Sequence, residues 1–141
     1  MNKLTHEWTK DWHVDYVLKN IPKTIEGDIR YAHQRGFNFR DACLKEHSCI
    51  TYLMDGIPMA IVICPTKDDP TLWAIFTNDA LKIRFTLYKY TKILLNNIIR
   101  ELGLIRVAVR KTNDIAYSWL EHLGFKLQDY TFQGFLVLEL K

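Results

Sequence analysis

The chain has few of the residues that staple or punctuate a fold: three cysteines, four prolines and six glycines in 141 residues. Cys43, Cys49 and Cys64 are an odd number with no CxxC pair, which argues against a disulfide framework and for reduced thiols in a cytosolic compartment. Cys43, His47 and Cys49 offer soft ligands at C-x3-H-x-C spacing, but no second pair completes a tetrahedral site, so no metal is expected. No apolar run approaches the ~20 residues of a membrane span, and the opening "MNKLTHEWTKDW" carries no apolar h-region. A soluble protein that is not secreted through a signal peptide is expected. No tract of five like charges occurs, and a net charge of +3 with pI near 8.7 is too mild for a dedicated nucleic-acid binder. Neither a Ser-His-Asp arrangement nor an HExxH motif supports hydrolytic chemistry.

What the chain does have is core material. Hydrophobic residues make up 48% and aromatics 13%, enough for one well-packed domain over residues 1–141. The first third reads as helices. "DWHVDYVLKNI" sets Trp12, Tyr16 and Leu18 or Lys19 at near-helical spacing before Pro22, and "KTIEGDIRYAHQRG" repeats Ile25, Ile29 and Ala32 or His33 before Gly36. "NFRDACLKEH" suits a third short helix. From Ser48 strands take over. "CITYLMDGIPMAIVIC" is two β-rich runs about Asp55-Gly56, a hairpin signal with Pro58 near the start of the second run, and "TLWAIFT" adds a third strand to a meander.

"RFTLYKYTKILLNNIIRELG" then puts Tyr88, Leu95, Ile98 or Ile99 and Leu102 on one face of the longest helix, which stops at Gly103. "LIRVAVRK" is a strand, and "KLQDYTF" with "FLVLELK" forms a final hairpin about Gln133-Gly134. Strand, long helix, strand over 72–109 is a crossover, which requires parallel pairing or an adjacent equivalent in the same sheet. The fold class is therefore α+β with a mixed, mostly antiparallel sheet.

Between the last strands lies "NDIAYSWLEHLGF". Asn113 or Asp114 can cap its first amides, Gly124 can take a left-handed conformation, and Phe125 can fold back on Leu120 as in a Schellman stop. Its inward face is Ala116, Trp119 or Leu120, and Leu123.

An Asn closing a strand, an Ala three residues later and a Leu-Gly-Phe stop, all after a long helix and a strand, resemble the C-terminal half of the GNAT N-acyltransferase family. The order of elements from Ser48 to Lys141, about two thirds of the chain, is similar too. "WAIFTNDALKIRF", the Lys-rich helix and the N-to-GF block together resemble small GNAT-like internal virion or virion-assembly proteins of short-tailed phages. The resemblance implies a central pair of splayed parallel strands, "TLWAIFT" and "IRVAV", with acyl-CoA, such as acetyl-CoA, in the cleft between them. It makes Ile75, Phe76 and Thr77 candidates for pairing with the pantetheine arm. The short helix opened by Asn113 becomes one wall of the cleft.

Two departures from the family pattern stand out. The family's Gln/Arg-x-x-Gly-x-Gly/Ala loop falls on Ile83 to Tyr88, where Thr86 and Tyr88 replace glycines that let backbone amides reach a pyrophosphate. Lys82, Arg84 and Lys89 could attract that charge instead, although they equally suit the solvated face of a helix start. The family's proton-donating Tyr falls on Leu120, which leaves Tyr117, one turn earlier, as the candidate acid. A base for an amine acceptor could be Asp79, Glu26 or a water. The resemblance thus implies an acyl-CoA-dependent N-acyltransferase of phage origin in the host cytoplasm. The departures imply an alternative: a non-catalytic GNAT-like module, virion-associated or bound to a phage or host protein. A basic stripe of Lys82, Arg84, Lys89, Lys92, Arg106 and Arg110 is the only feature that favours nucleic acid.

Overall fold

The N-terminal third, expected to be helical, begins with a strand. The computed structural model describes residues 3–46 and 48–141, and in it β1 (Leu4–Trp8) pairs antiparallel with β2 (Cys49–Met54). Only Leu4 of β1 is buried. The strand exists because β2 offers an edge, not because its own residues alternate, so no period-2 signal marks it.

Two helices follow, α1 (Asp11–Lys19) and α2 (Lys23–Gln34). In α1 the buried face is His13, Val14 and Val17, whereas Trp12 lies 48% exposed. This corrects the face expected from Trp12 and Tyr16: the two valines and a histidine are compact enough to pack against β3, while the indole stays outside. α2 buries Ile25 and Ala32 as expected, with His33 outside. A short α3 (Phe39–Asp41) continues into a π-helical turn over Ala42–Glu46.

β2 and β3 (Ile57–Ile63) form the hairpin that Asp55-Gly56 announced. Both turn residues have positive φ, 53° and 81°, as the tight mirror-image turn requires. Pro58 is tolerated in a strand with neighbours on both sides because the register shifts at Tyr52/Leu53. β4 (Trp73–Phe76) lies at the far edge of this sheet, in the order β1-β2-β3-β4. A 3₁₀ helix, Asn78–Ile83, then runs without a break into α4 (Arg84–Leu102).

The remainder forms a second, antiparallel sheet in the order β5-β7-β6, from β5 (Ile105–Val109), β6 (Lys126–Phe132) and β7 (Phe135–Leu140). The β6-β7 turn again has two positive φ values, 48° at Gln133 and 86° at Gly134. Between β5 and β6 sits α5 (Asp114–His122). The parallel pairing expected of the crossover survives as one bridge, Thr71 with Arg106. Past it, β4 takes its partners from the first sheet and β5 from the second. The chain divides into two compact units, Met1–Cys64 with Ala74–Arg84 and Pro65–Trp73 with Phe85–Lys141. Among the described residues, no helix is long and apolar enough to cross a membrane.

His13 couples the first unit to pH. It is wholly buried, accepts the Lys10 backbone N–H on Nδ1 at 3.0 Å, and holds Nε2 3.1 Å from Glu7 Oε1, off the line of a good hydrogen bond. Burial, which disfavours the charged ring, outweighs the Glu7 carboxylate and lowers its pKa below the usual 6.5. The unfolded chain therefore takes up a proton that the folded chain refuses. Stability from neutral His13 is complete above about pH 6.5 and is lost as the pH falls below that value. The urea midpoint should drop between pH 7.5 and 5.5, and drop less in His13→Gln; equal slopes in the two proteins would remove His13 from the account.

Candidate functional site

The candidate residues fall on two stretches, one in each unit. In the first unit they follow one another along β4 and the 3₁₀ helix. Thr77 is 1% exposed and serves as cap: its Oγ1 accepts from the Ala80 N–H at 3.3 Å, and its own N–H donates to the Met59 carbonyl at 2.8 Å. Thr77 therefore has no amide to offer a ligand. On the other side of the chain, the Leu72 N–H donates to the Arg106 carbonyl at 2.8 Å.

These two bonds fix which way each amide of β4 points. Successive residues of a strand present their backbone groups to opposite edges, so Ile75 shares the β3 edge with Thr77, and Ala74 and Phe76 share the other with Leu72. No strand of the same sheet lies beyond that edge. Of the three expected pantetheine partners, only Phe76 faces outward, and Ala74, which was not singled out, joins it. Ile75 is buried and Ala74 exposed.

Asp79 and Lys82 are both exposed and pair with each other, Nζ to Oδ1 3.2 Å, one turn apart. The base candidate is thus already in contact with a candidate phosphate cation. Such an exposed pair contributes little to stability. Arg84 is exposed at the junction with α4. Glu26, the other carboxylate considered, pairs with Arg30 on α2 at 3.1 Å.

The segment aligned with the glycine loop, which begins at the end of the first unit, is helical. Residues 83–88 fall inside a run that begins at Asn78, so their amides serve the helix instead of opening toward an anion. Thr86 and Lys89 are exposed on α4, and Tyr88 donates its hydroxyl to the His122 carbonyl at 3.1 Å, tying α4 to the end of α5. The side chain in the place of a family glycine is therefore a structural strut. Asn113 is buried, 6% exposed, and caps α5 by accepting the Ala116 N–H on Oδ1 at 3.1 Å. Tyr117 and Leu120 are half-buried on α5, as are Ala116 and Trp119, and Leu123 is buried.

The α5 stop is a complete Schellman motif: the Phe125 N–H donates to Leu120 O at 3.1 Å and the Gly124 N–H to Glu121 O at 3.0 Å, with φ +100° at Gly124.

Cys43 and Cys49 are buried with free thiols, and Cys64 is half-buried. Interaction between the Cys43 and Cys49 thiols raises the Cys43 pKa, with burial adding to the rise, and lowers that of Cys49 against the opposing effect of burial; burial lifts Cys64 to about 11. His47 lies outside the described residues, and among those described no group of three His, Cys, Asp or Glu is arranged to hold a metal.

No family model matches the chain, and no curated protein matches it. Solved structures do. An acetyltransferase of Bacillus subtilis in complex with CoA superposes with a TM-score of 0.62 at 16% identity, over 99% of both chains. An N-acetyltransferase of Thermoplasma acidophilum in complex with coenzyme A gives 0.63 at 12%, again over 99% of each. Spermidine N-acetyltransferase of Vibrio cholerae gives 0.61 at 10% identity, over 97% of this chain and 92% of that one. The fold is that of the GNAT acetyltransferases. The likeness extends across the N-terminal third, beyond the Ser48–Lys141 region that carried it in the sequence.

Proposed function

We propose that the chain binds an acyl-CoA along the outer edge of β4 and transfers the acyl group to an amine. The observation that carries this reading is the edge position of β4, whose Thr77 N–H donates to Met59 and so turns the amides of Ala74 and Phe76 away from β3, in a fold shared with CoA-bound acetyltransferases. An extended pantetheine arm fits such an edge, because its amides can pair with backbone groups that have no strand partner in the sheet. The pyrophosphate end fits less well. Helical amides over 83–88 offer it no loop, so Lys82, Arg84 and Lys89 must hold it through side-chain charge. Acyl-CoA, when bound, supplies an activated thioester carbonyl. Within this reading Tyr117 is the proton donor to the departing sulfur and Asp79 accepts the proton of the amine.

Calorimetric titration of acetyl-CoA tests it. Weak binding is expected, falling about tenfold between low and high salt as exposed cations are screened. Tight, salt-insensitive binding would mean that 83–88 rearranges into a true phosphate loop.

A second reading, a non-catalytic GNAT-shaped module of a short-tailed phage acting in virion assembly or binding a host protein, is favoured by the helical 83–88 segment and by Leu120 at the family's acid position. The absence of any acetyl-CoA binding at low salt would select it.

A further inference from the structure

Apart from Lys89, the outward face of α4 has no role in the reading above. Phe85 and Ile93 are 76% and 59% exposed, two large apolar side chains about two turns apart, and Tyr90, 39% exposed, lies further round the helix. Large apolar residues scattered singly over a surface need no explanation, but a group on one helix face marks a contact region. Phe85, Lys89 and Ile93 follow one another at i, i+4 and i+8, so the row they form is about 12 Å long.

Charge on this face is of one sign. Lys89, Lys92 and Arg100 point outward with them, and the only carboxylate of α4 is Glu101 at its end. Among the described residues no ion pair holds Lys89 or Lys92; Lys92 Nζ instead lies 5.7 Å from the centre of the Tyr88 ring. An isolated helix surface gains nothing from unbalanced cations around exposed aromatics, and a partner with the opposite pattern removes both costs.

We propose that this face of α4 docks an acidic amphipathic helix of a partner protein. Apolar residues two turns apart on that helix would cover Phe85 and Ile93, and its carboxylates would meet Lys89, Lys92 and Arg100. The observations favour a protein over nucleic acid, because Phe85 and Ile93 find no apolar counterpart on a phosphate backbone and the whole chain carries only +3. They also favour it over a membrane surface, since the row is bounded by the polar Asn96 and Asn97 and lacks an interfacial Trp.

The probe is a labelled synthetic peptide of about 18 residues, with leucines at helical spacing i, i+3, i+4, i+7 and glutamates elsewhere, read by fluorescence anisotropy against the full chain. A matched peptide with lysine for glutamate is the control. The acidic peptide should bind and the lysine peptide should not. Phe85→Ala with Ile93→Ala, and separately Lys92→Glu with Arg100→Glu, should each weaken binding about tenfold or more while keeping the wild-type thermal midpoint. The proposal is overturned if the acidic peptide does not bind, if both peptides bind alike, or if the variants bind as the parent does. It is equally overturned if a short DNA duplex or anionic vesicles are retained more strongly than the acidic peptide and lose binding in the same variants.

Discussion

Gly124→Val is expected to lower the stability of the fold by about 3 kcal/mol, from two costs of roughly 1 to 2 kcal/mol each. The first is conformational. At φ +100° a β-branched residue has no comfortable well, and relaxing to negative φ would break the bonds from Phe125 to Leu120 and from Gly124 to Glu121 that end α5. The second is steric: a Cβ at 124 would lie 3.3 Å from Leu140 Cδ1, on the strand that pairs with both β5 and β6. Gly103 separates the two. It has φ +77° but nothing within 4 Å of a built Cβ, so Gly103→Ala should show the conformational cost alone, about 1 kcal/mol. Denaturation midpoints of the two variants check this. Equal losses would mean that Leu140 moves aside freely, and no loss at Gly124→Val would mean that α5 does not end in the motif described.

Much of the fold was legible wherever a short-range rule was strong. Asp55-Gly56 and Gln133-Gly134 gave both hairpins because only a few residue pairs accept two positive φ values. Asn113 and Gly124 gave both ends of α5 for similarly local reasons. β1 was not legible, since a strand with one buried residue is held by its neighbour's edge and leaves no period in its own sequence. The buried face of α1 was missed because His13 counts as polar until its Nδ1 is seen capping the helix start. For the candidate site, the sequence singles out a stretch but not its parity. Ile75, Phe76 and Thr77 are equivalent in sequence, and only the bonds of Leu72 and Thr77 to opposite neighbours decide that Phe76 faces outward and the other two do not. The loop over 83–88 could be seen to lack glycines, but not that its backbone had joined the helix.

That parity makes the most discriminating prediction about function. Proline has no N–H, so it is harmless on a strand edge whose donors point to solvent and costly where a ladder bond is lost. Ile75→Pro removes a donor directed at β3 and a buried side chain, and should cost about 3 kcal/mol or more, enough to lower the denaturation midpoint sharply. Ala74→Pro, one residue away at an exposed position, removes a donor that faces outward and should leave the midpoint within about 0.5 kcal/mol of the parent. If acyl-CoA pairs with this edge, Ala74→Pro should nonetheless weaken acetyl-CoA binding, by about fivefold to tenfold for one hydrogen bond of ~1 kcal/mol or slightly more. Ala74→Ser, which keeps the N–H, should bind as the parent does. A destabilised Ala74→Pro would show that the outward edge is already paired within the protein, and undiminished binding in a stable Ala74→Pro would place the cofactor elsewhere than on β4.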